Sequence, residues 1–263
     1  MNERNAIGVI GGLGPYAGLD LVKKIFDETI ATTDQEHLPV TLISYPGRIP
    51  DRSTYIADQQ QPDPVAPLAE ILRRLSAAGC SVAGMPCNTA HAPVIFDKLR
   101  QTILDEGLEI DLLNMIDASG ASVRRVDPHV QRVGILATTS TLENRLYDAA
   151  LEAIGLEAVI PAGDFQHDVI NPVIFDVDWG IKAYSNPPTE RARASLLDGI
   201  RHLRQRGAQA VILGCTELPL AVPERMIDGL PIIDSTRSLA RALIRATQPE
   251  KLRPSPVTES SPA

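Results

Sequence analysis

The same local pattern is spelled twice in this chain. Residues 7–10 read IGVI and residues 133–136 read VGIL, each a short β-branched run followed by a glycine-rich or polar turn. Further along each half a helical stripe ends at a glycine, Gly79 or Gly207, and a strand then runs into a cysteine, Cys87 or Cys215, eight positions later in both cases. Gly8 and Cys87 lie 79 positions apart, and Gly134 and Cys215 lie 81 apart. Agreement on both scales points to a duplicated unit, each copy carrying one cysteine at the same structural address.

What lies between these marks sets the fold class. Residues 40–44 and 81–85 read as further strands, and residues 210–213 as the strand before Cys215. The stripes Leu19, Val22, Phe26, Ile30; Val65, Leu68, Leu72, Leu75; and Leu196, Ile200, Leu203 recur at helical spacing, with Gly79 and Gly207 placed to end helices. Short apolar strands alternating with helices predict an α/β protein of two similar domains. Each is expected to be a parallel sheet flanked by helices, the two related by a pseudo-two-fold, with the site in the cleft between them if the halves face one another. The expected division is 1–112 plus 231–246 for the first domain, 113–230 for the second, and a flexible proline-rich tail over 247–263.

Composition narrows the function. Hydrophobic residues make up 44% of 263, enough for real cores. The 25 Lys and Arg against 33 Asp and Glu leave a net charge of −8, a field that attracts neither nucleic acid nor an anionic membrane. No apolar run approaches a membrane span, and the start of the chain does not read as a signal peptide. Three cysteines, Cys80, Cys87 and Cys215, are no disulfide framework and suit a reducing, cytoplasmic setting.

In open parallel sheets, ligands gather beyond the carboxyl ends of the strands. Cys87 and Cys215 fall at such ends, each followed by residues able to open a helix, Asn88-Thr89 and Thr216-Glu217, whose free N–H groups favour an anion and lower a thiol pKa. If the two halves face one cleft, two thiols approach a bound molecule from opposite sides. That arrangement suits taking a proton from one face of a carbon and returning one to the other. Cys80 reads as a buried hydrophobe. Arg48 and Arg52 follow the second strand on the same edge, and guanidinium grips carboxylate through paired hydrogen bonds. Lys182 lies in an irregular stretch of the second half. Cys87 with His91 is half a metal site, so no metal is expected; a Cys–His nucleophile would leave Cys215 unexplained. Gly12-Leu13-Gly14-Pro15-Tyr16-Ala17 fits a dinucleotide fingerprint only weakly, since no acid ends the second strand, and it reads better as a loop lining a small-molecule site.

These residues resemble the aspartate/glutamate racemase superfamily, most closely its aspartate racemase branch. The resemblance rests on IGVIGGLGP, YPGRIPDRSTYI, GMPCNTAHAP, VGILATTST, GIKA and LGCTELPL, spread over the chain to about residue 245. It implies a cofactor-independent amino-acid racemase that is commonly a homodimer, with Cys87 and Cys215 as the acid–base pair and Arg52 and Lys182 recognising an acidic side chain. It further implies that Asn88, Thr89, Thr138, Thr139 and Thr216 hold the α-carboxylate and amine. The sequence departs from the family around Lys182, where Asp178-Trp179 precedes it and Ala183-Tyr184 follows, a loop expected to reshape the pocket. A glutamate or broad-specificity racemase, a decarboxylase or cis–trans isomerase of the same fold, and a non-catalytic two-lobed amino-acid sensor are the alternatives.

Overall fold

The computed structural model describes residues 5–254. The first half runs β1 (Ala6–Gly11), α1 (Pro15–Glu28), β2 (Val40–Ser44), α2 (Arg52–Ala57), α3 (Val65–Ala77), β3 (Cys80–Gly84), α4 (Pro93–Asp105) and β4 (Asp111–Leu113). Helix α5 (Met115–Val126) leads to β5 (Arg132–Ala137), α6 (Thr139–Glu143), α7 (Asp148–Glu152), β6 (Glu157–Val159), α8 (Gly163–Phe165) and α9 (Asn171–Phe175). Then come α10 (Glu190–Gln205), β7 (Ala210–Gly214), α11 (Leu218–Ala221), β8 (Met226–Ile227), β9 (Leu230–Asp234) and α12 (Ser235–Thr247). The strands form two sheets. The first is parallel in the order β2-β1-β3-β4; the second repeats it as β6-β5-β7-β9, with β8 added antiparallel at its edge. Both faces of each sheet are covered, which is why β7 reads Ala-Val-Ile-Leu-Gly with every residue buried.

The last helix of each half crosses to the other. After β9, α12 packs on α1, β1 and β3, and Leu239, Leu243 and Ile244 join Ile7, Val9, Leu21 and Ile25 in one core cluster. After β4, α5 packs on β9 and α7, and its Ile116 and Val123 join Val133, Ile135 and Ile212. Each fully buried Leu or Ile contributes about 1.5–3 kcal/mol, so this exchange ties the two sheets together through apolar burial. Residues 231–234, expected to return to the first half with the helix that follows, instead pair with β7 as the counterpart of β4; only α12 crosses.

Two further expectations change. The stripe Leu19, Phe26 and Ile30 faces solvent, 56%, 36% and 45% exposed, while α1 buries Ala17, Leu21 and Ile25. Periodicity identified the helix, but two apolar faces compete on it and α12 selects the second. The tail expected from 247 is held down as far as Arg253. The Ile30 N–H donates to the Lys251 carbonyl and the Arg253 N–H to Glu28, and Leu252 packs against the first core. The rest of that segment, 255–263, lies outside the described residues.

Candidate active site

The carboxyl ends of β1, β3, β5 and β7 converge on one cavity of about 390 Å³. Cys87, three residues past the end of β3, and Cys215, directly after β7, both line it, with Arg52, Asn88, Thr89, Thr138, Lys182 and Thr216. Of the nine residues expected to carry catalysis or hold substrate, only Thr139 is not among those lining this cavity. Its hydroxyl donates to Asn171 (3.3 Å) and accepts from Gln166 (3.3 Å), on the side of a separate pocket. Arg48 is exposed, lying 3.6 Å from Glu70 and over the Tyr45 ring. Trp179 is buried in the core of the second half with Arg191 stacked on its ring at 4.0 Å; Phe175 reaches the cavity instead. Cys80 is buried in β3, as expected.

Each cysteine has its own electrostatic partner. Arg52 opens α2, whose N-cap Asp51 accepts the Thr54 N–H at 2.9 Å. Its guanidinium donates to the carbonyls of Leu13 (2.8 Å) and Pro50 (3.2 Å), while its buried Nε–H has no acceptor among the described residues. Burial opposes the charge on Arg52, but the neighbouring Cys87 sulfur together with Asp51 and Glu217 more than offsets it, so the guanidinium binds its proton more tightly than usual. On the other side, the Cys215 thiol donates to Glu217 Oε2 at 3.1 Å. Burial, and then the Glu217 carboxylate, push the Cys215 thiol well above its ordinary value. Glu217 itself is 4% exposed. Burial would raise its pKa, yet the Lys182 ammonium at 2.9 Å and the Cys215 thiol hold it below the usual carboxylate range. Glu217 in turn keeps Lys182 more firmly protonated than a free lysine, against the effect of burial. The cavity therefore holds an asymmetric pair, one sulfur beside a cation and the other hydrogen-bonded to an anion.

Glu217 escaped the sequence reading, although Cys-Thr-Glu places its carboxylate on the same turn as Cys215. The glycine-rich turn after β1 makes room for it. Gly12 has φ +92°, and a Cβ on Gly14 would stand 2.4 Å from Glu217 Oε1. Gly14→Ala is thus expected to push the carboxylate away from Lys182 and Cys215, lowering turnover about tenfold or more while the melting temperature changes little, because the added methyl meets a side-chain tip rather than backbone. Steady-state kinetics and a melting curve on the same preparation check both halves of that statement.

The hydroxyls and amides are partly committed. Thr138 caps α6 by accepting the Thr141 N–H (3.2 Å), and Thr89 Oγ1 lies 3.2 Å from Thr141 Oγ1, which joins the two halves beneath the cavity. The Thr216 hydroxyl donates to the Pro86 carbonyl (3.3 Å). The Asn88 amide accepts from Tyr147 (2.6 Å) and donates to Ser235 at the start of α12 (3.3 Å). Its side chain is therefore spent on the scaffold, and what it can offer a ligand is its main chain, at the start of a turn where amides lack intrahelical acceptors. Among the described residues no three Cys, His, Asp or Glu side chains converge as a metal centre.

His91 does not touch the Cys87 sulfur. Its Nδ1 lies 2.9 Å from the Cys87 carbonyl, its ring stacks on Phe96 at 4.9 Å, and its buried Nε2 has no partner among the described residues. Burial drives its pKa down from 6.5 to about 4, so the ring is neutral and holds the Cys87 turn in place. The unfolded chain binds this proton below about pH 6.5 and the folded chain does not. Stability is therefore complete above that pH and falls by up to about 3 kcal/mol as the pH drops toward 4. Urea midpoints across that range should fall more steeply for the wild type than for His91→Gln.

The model of the family described as Asp/Glu/Hydantoin racemase matches residues 10–243. The broad specificity amino-acid racemase RacX of Bacillus subtilis is 21% identical over 244 residues, covering 90% of this chain and 96% of that one. Among solved structures, the aspartate racemase of Picrophilus torridus superposes with a TM-score of 0.73 at 28% identity, covering 92% of this chain and 94% of that one. The glutamate racemase of Francisella tularensis in complex with D-glutamate shares the fold, with a TM-score of 0.62 at 17% identity over 96% and 85%.

Proposed function

The chain belongs to the Asp/Glu/hydantoin racemase family, and from that premise we propose that it interconverts the enantiomers of an acidic amino acid, aspartate first, by passing protons between Cα and two cysteine sulfurs. One observation carries this reading: Cys87 and Cys215, from opposite halves, line the same cavity together with Arg52 and Lys182. In the proposed cycle Cys87, beside the Arg52 guanidinium, is assigned the base role as thiolate, and Cys215, hydrogen-bonded to Glu217, the acid role as thiol. The Cys87 thiolate takes the Cα proton, the electron pair of that bond moves into the α-carboxylate, and the Cys215 S–H gives its proton to the opposite face. The product leaves with inverted configuration, Cys87 now protonated and Cys215 a thiolate.

Positioned proton transfer is worth about 10²–10⁴-fold, too little for so weak a carbon acid. The rest must come from donors aimed at the developing carboxylate charge in a closed, water-poor site. The amides after Cys87 and Cys215 are placed for that task. The Arg52 guanidinium is our candidate for the side-chain carboxylate. The similarity to the Picrophilus enzyme supports aspartate. A second reading, a racemase of broader specificity, is favoured by one feature: Lys182 already has its counter-ion in Glu217, so a neutral side chain would leave only one cation unmatched. Both readings assign the cysteines the same roles.

Incubating each enantiomer of aspartate, glutamate, alanine and lysine in deuterated water, with chiral chromatography and mass spectrometry, separates them. Aspartate is expected to racemise fastest, with product gaining deuterium at Cα well before recovered substrate does. Comparable rates on alanine would install the broad-specificity reading, and no interconversion of any of them would overturn both.

A further inference from the structure

A second cavity, of about 650 Å³, lies between α5, the segment before β8, β9 and α12. Arg125, Arg225, Arg237 and Arg241 line it, over an apolar floor that includes Val126 and Ile232. We propose that it is a binding site for a small organic anion carrying two or more negative charges on phosphate or carboxylate groups.

Charge counting is the first reason. Glu28, 2% exposed, already accepts from Arg225 (2.8 Å), Arg237 (2.7 Å) and Arg241. Asp234 is occupied by Lys24 at 2.5 Å, which also holds Asp20. Glu224 is paired with Arg193. Arg125 and Arg245 have no acidic partner among the described residues. The cavity lining itself thus carries four guanidiniums (Arg125, Arg225, Arg237, Arg241) against two carboxylates (Glu224, Asp234), in a protein whose overall charge is −8. The second reason is crowding. Burial, and then the nearby Arg125 and Arg241, make Arg245, farther along α12, a weaker base than usual. Guanidinium forks on several elements around a concavity suit multidentate phosphate or carboxylate, and the apolar floor leaves space for the body of an organic anion.

Calorimetric titration with inorganic pyrophosphate and with citrate, at fixed ionic strength, tests this and shows which head group is preferred. Saturable binding at one site per chain is expected with at least one probe. Arg125→Ala/Arg245→Ala, whose basal racemisation and melting curve report that it folds, should bind about tenfold more weakly or worse. Arg52→Ala should bind as the wild type does. The proposal is overturned if neither probe saturates by about 10 mM. It is equally overturned if the double variant binds undiminished, or if Arg52→Ala abolishes binding, which would assign the anion to the cysteine cavity. Because racemisation is read separately on the same variants, failure here leaves the proposed reaction untouched, and the reverse also holds.

Discussion

Cys87→Ser and Cys215→Ser are each expected to lower racemisation in both directions by about 10³-fold or more, with folding nearly unchanged. Serine matches cysteine closely in shape, but its hydroxyl is far too weak an acid to supply either an anionic base at Cys87 or a ready proton donor at Cys215. Both residues are buried, 8% and 6% exposed, and line the same cavity. The two variants should also fail differently. In Cys215→Ser, Cys87 can still remove a proton from one enantiomer and return it to the same face, so that enantiomer exchanges its Cα hydrogen for solvent deuterium without inverting. In Cys87→Ser, Cys215 begins as a thiol held by Glu217, and exchange should be confined to the other enantiomer and be slower. Mass spectrometry of recovered substrate, separated by chirality, reads this directly. Wild-type interconversion by either variant would refute the two-sulfur mechanism.

Lys182→Met is expected to cost about 2–3 kcal/mol of stability and about 10²-fold in kcat/KM for aspartate. Breaking a fully buried ion pair typically costs about 3–5 kcal/mol, because the surviving charge has no partner; the smaller figure applies because the Lys182 side chain is 32% exposed while that of Glu217 is 6% exposed. Adding Glu217→Gln removes the orphaned charge. The double variant should recover most of the lost stability in urea unfolding but none of the activity on aspartate, since the cation is still missing and Cys215 has lost the carboxylate that holds its proton. A double variant as unstable as Lys182→Met alone would show that the orphaned Glu217 charge is not what destabilises that variant. Glu217 keeps its carboxylate below the ordinary 4.5, so this contribution is complete at neutral pH; it fades as the pH falls beneath 4.5 and through the lowered value.

Much of this arrangement could be read from local pattern. The repeated strand–turn and glycine–strand–cysteine intervals carry the duplicated strand order, because alternating runs and turn residues are set by short-range sterics and burial on neighbouring faces. Cys87, Cys215 and Arg52 follow directly, since a residue just past a parallel strand stands on the edge where such sheets expose their ligands. Glu217 was equally available, two positions from Cys215, and was missed because a carboxylate beside a thiol has no familiar spacing to draw attention to it.

What only the packed molecule decides is which groups meet across the chain. Whether α1 buries Leu21 or Leu19 depends on α12, more than two hundred residues away in sequence, pressing on one apolar face rather than the other. Asn88 is taken up by Tyr147 and Ser235, and Thr139 turns toward Gln166 and Asn171. In the same way Lys182 finds its counter-ion 35 residues on and Glu28 gathers three arginines. A polar side chain is indifferent to where in the sequence its partner lies, so its pairing is settled by the desolvation it suffers on folding and the nearest group that relieves it. The amino-acid order by itself determined two sheets and two sulfurs at matching addresses; long-range packing made one sulfur neighbour a guanidinium and the other a carboxylate, and so made the two chemically unequal.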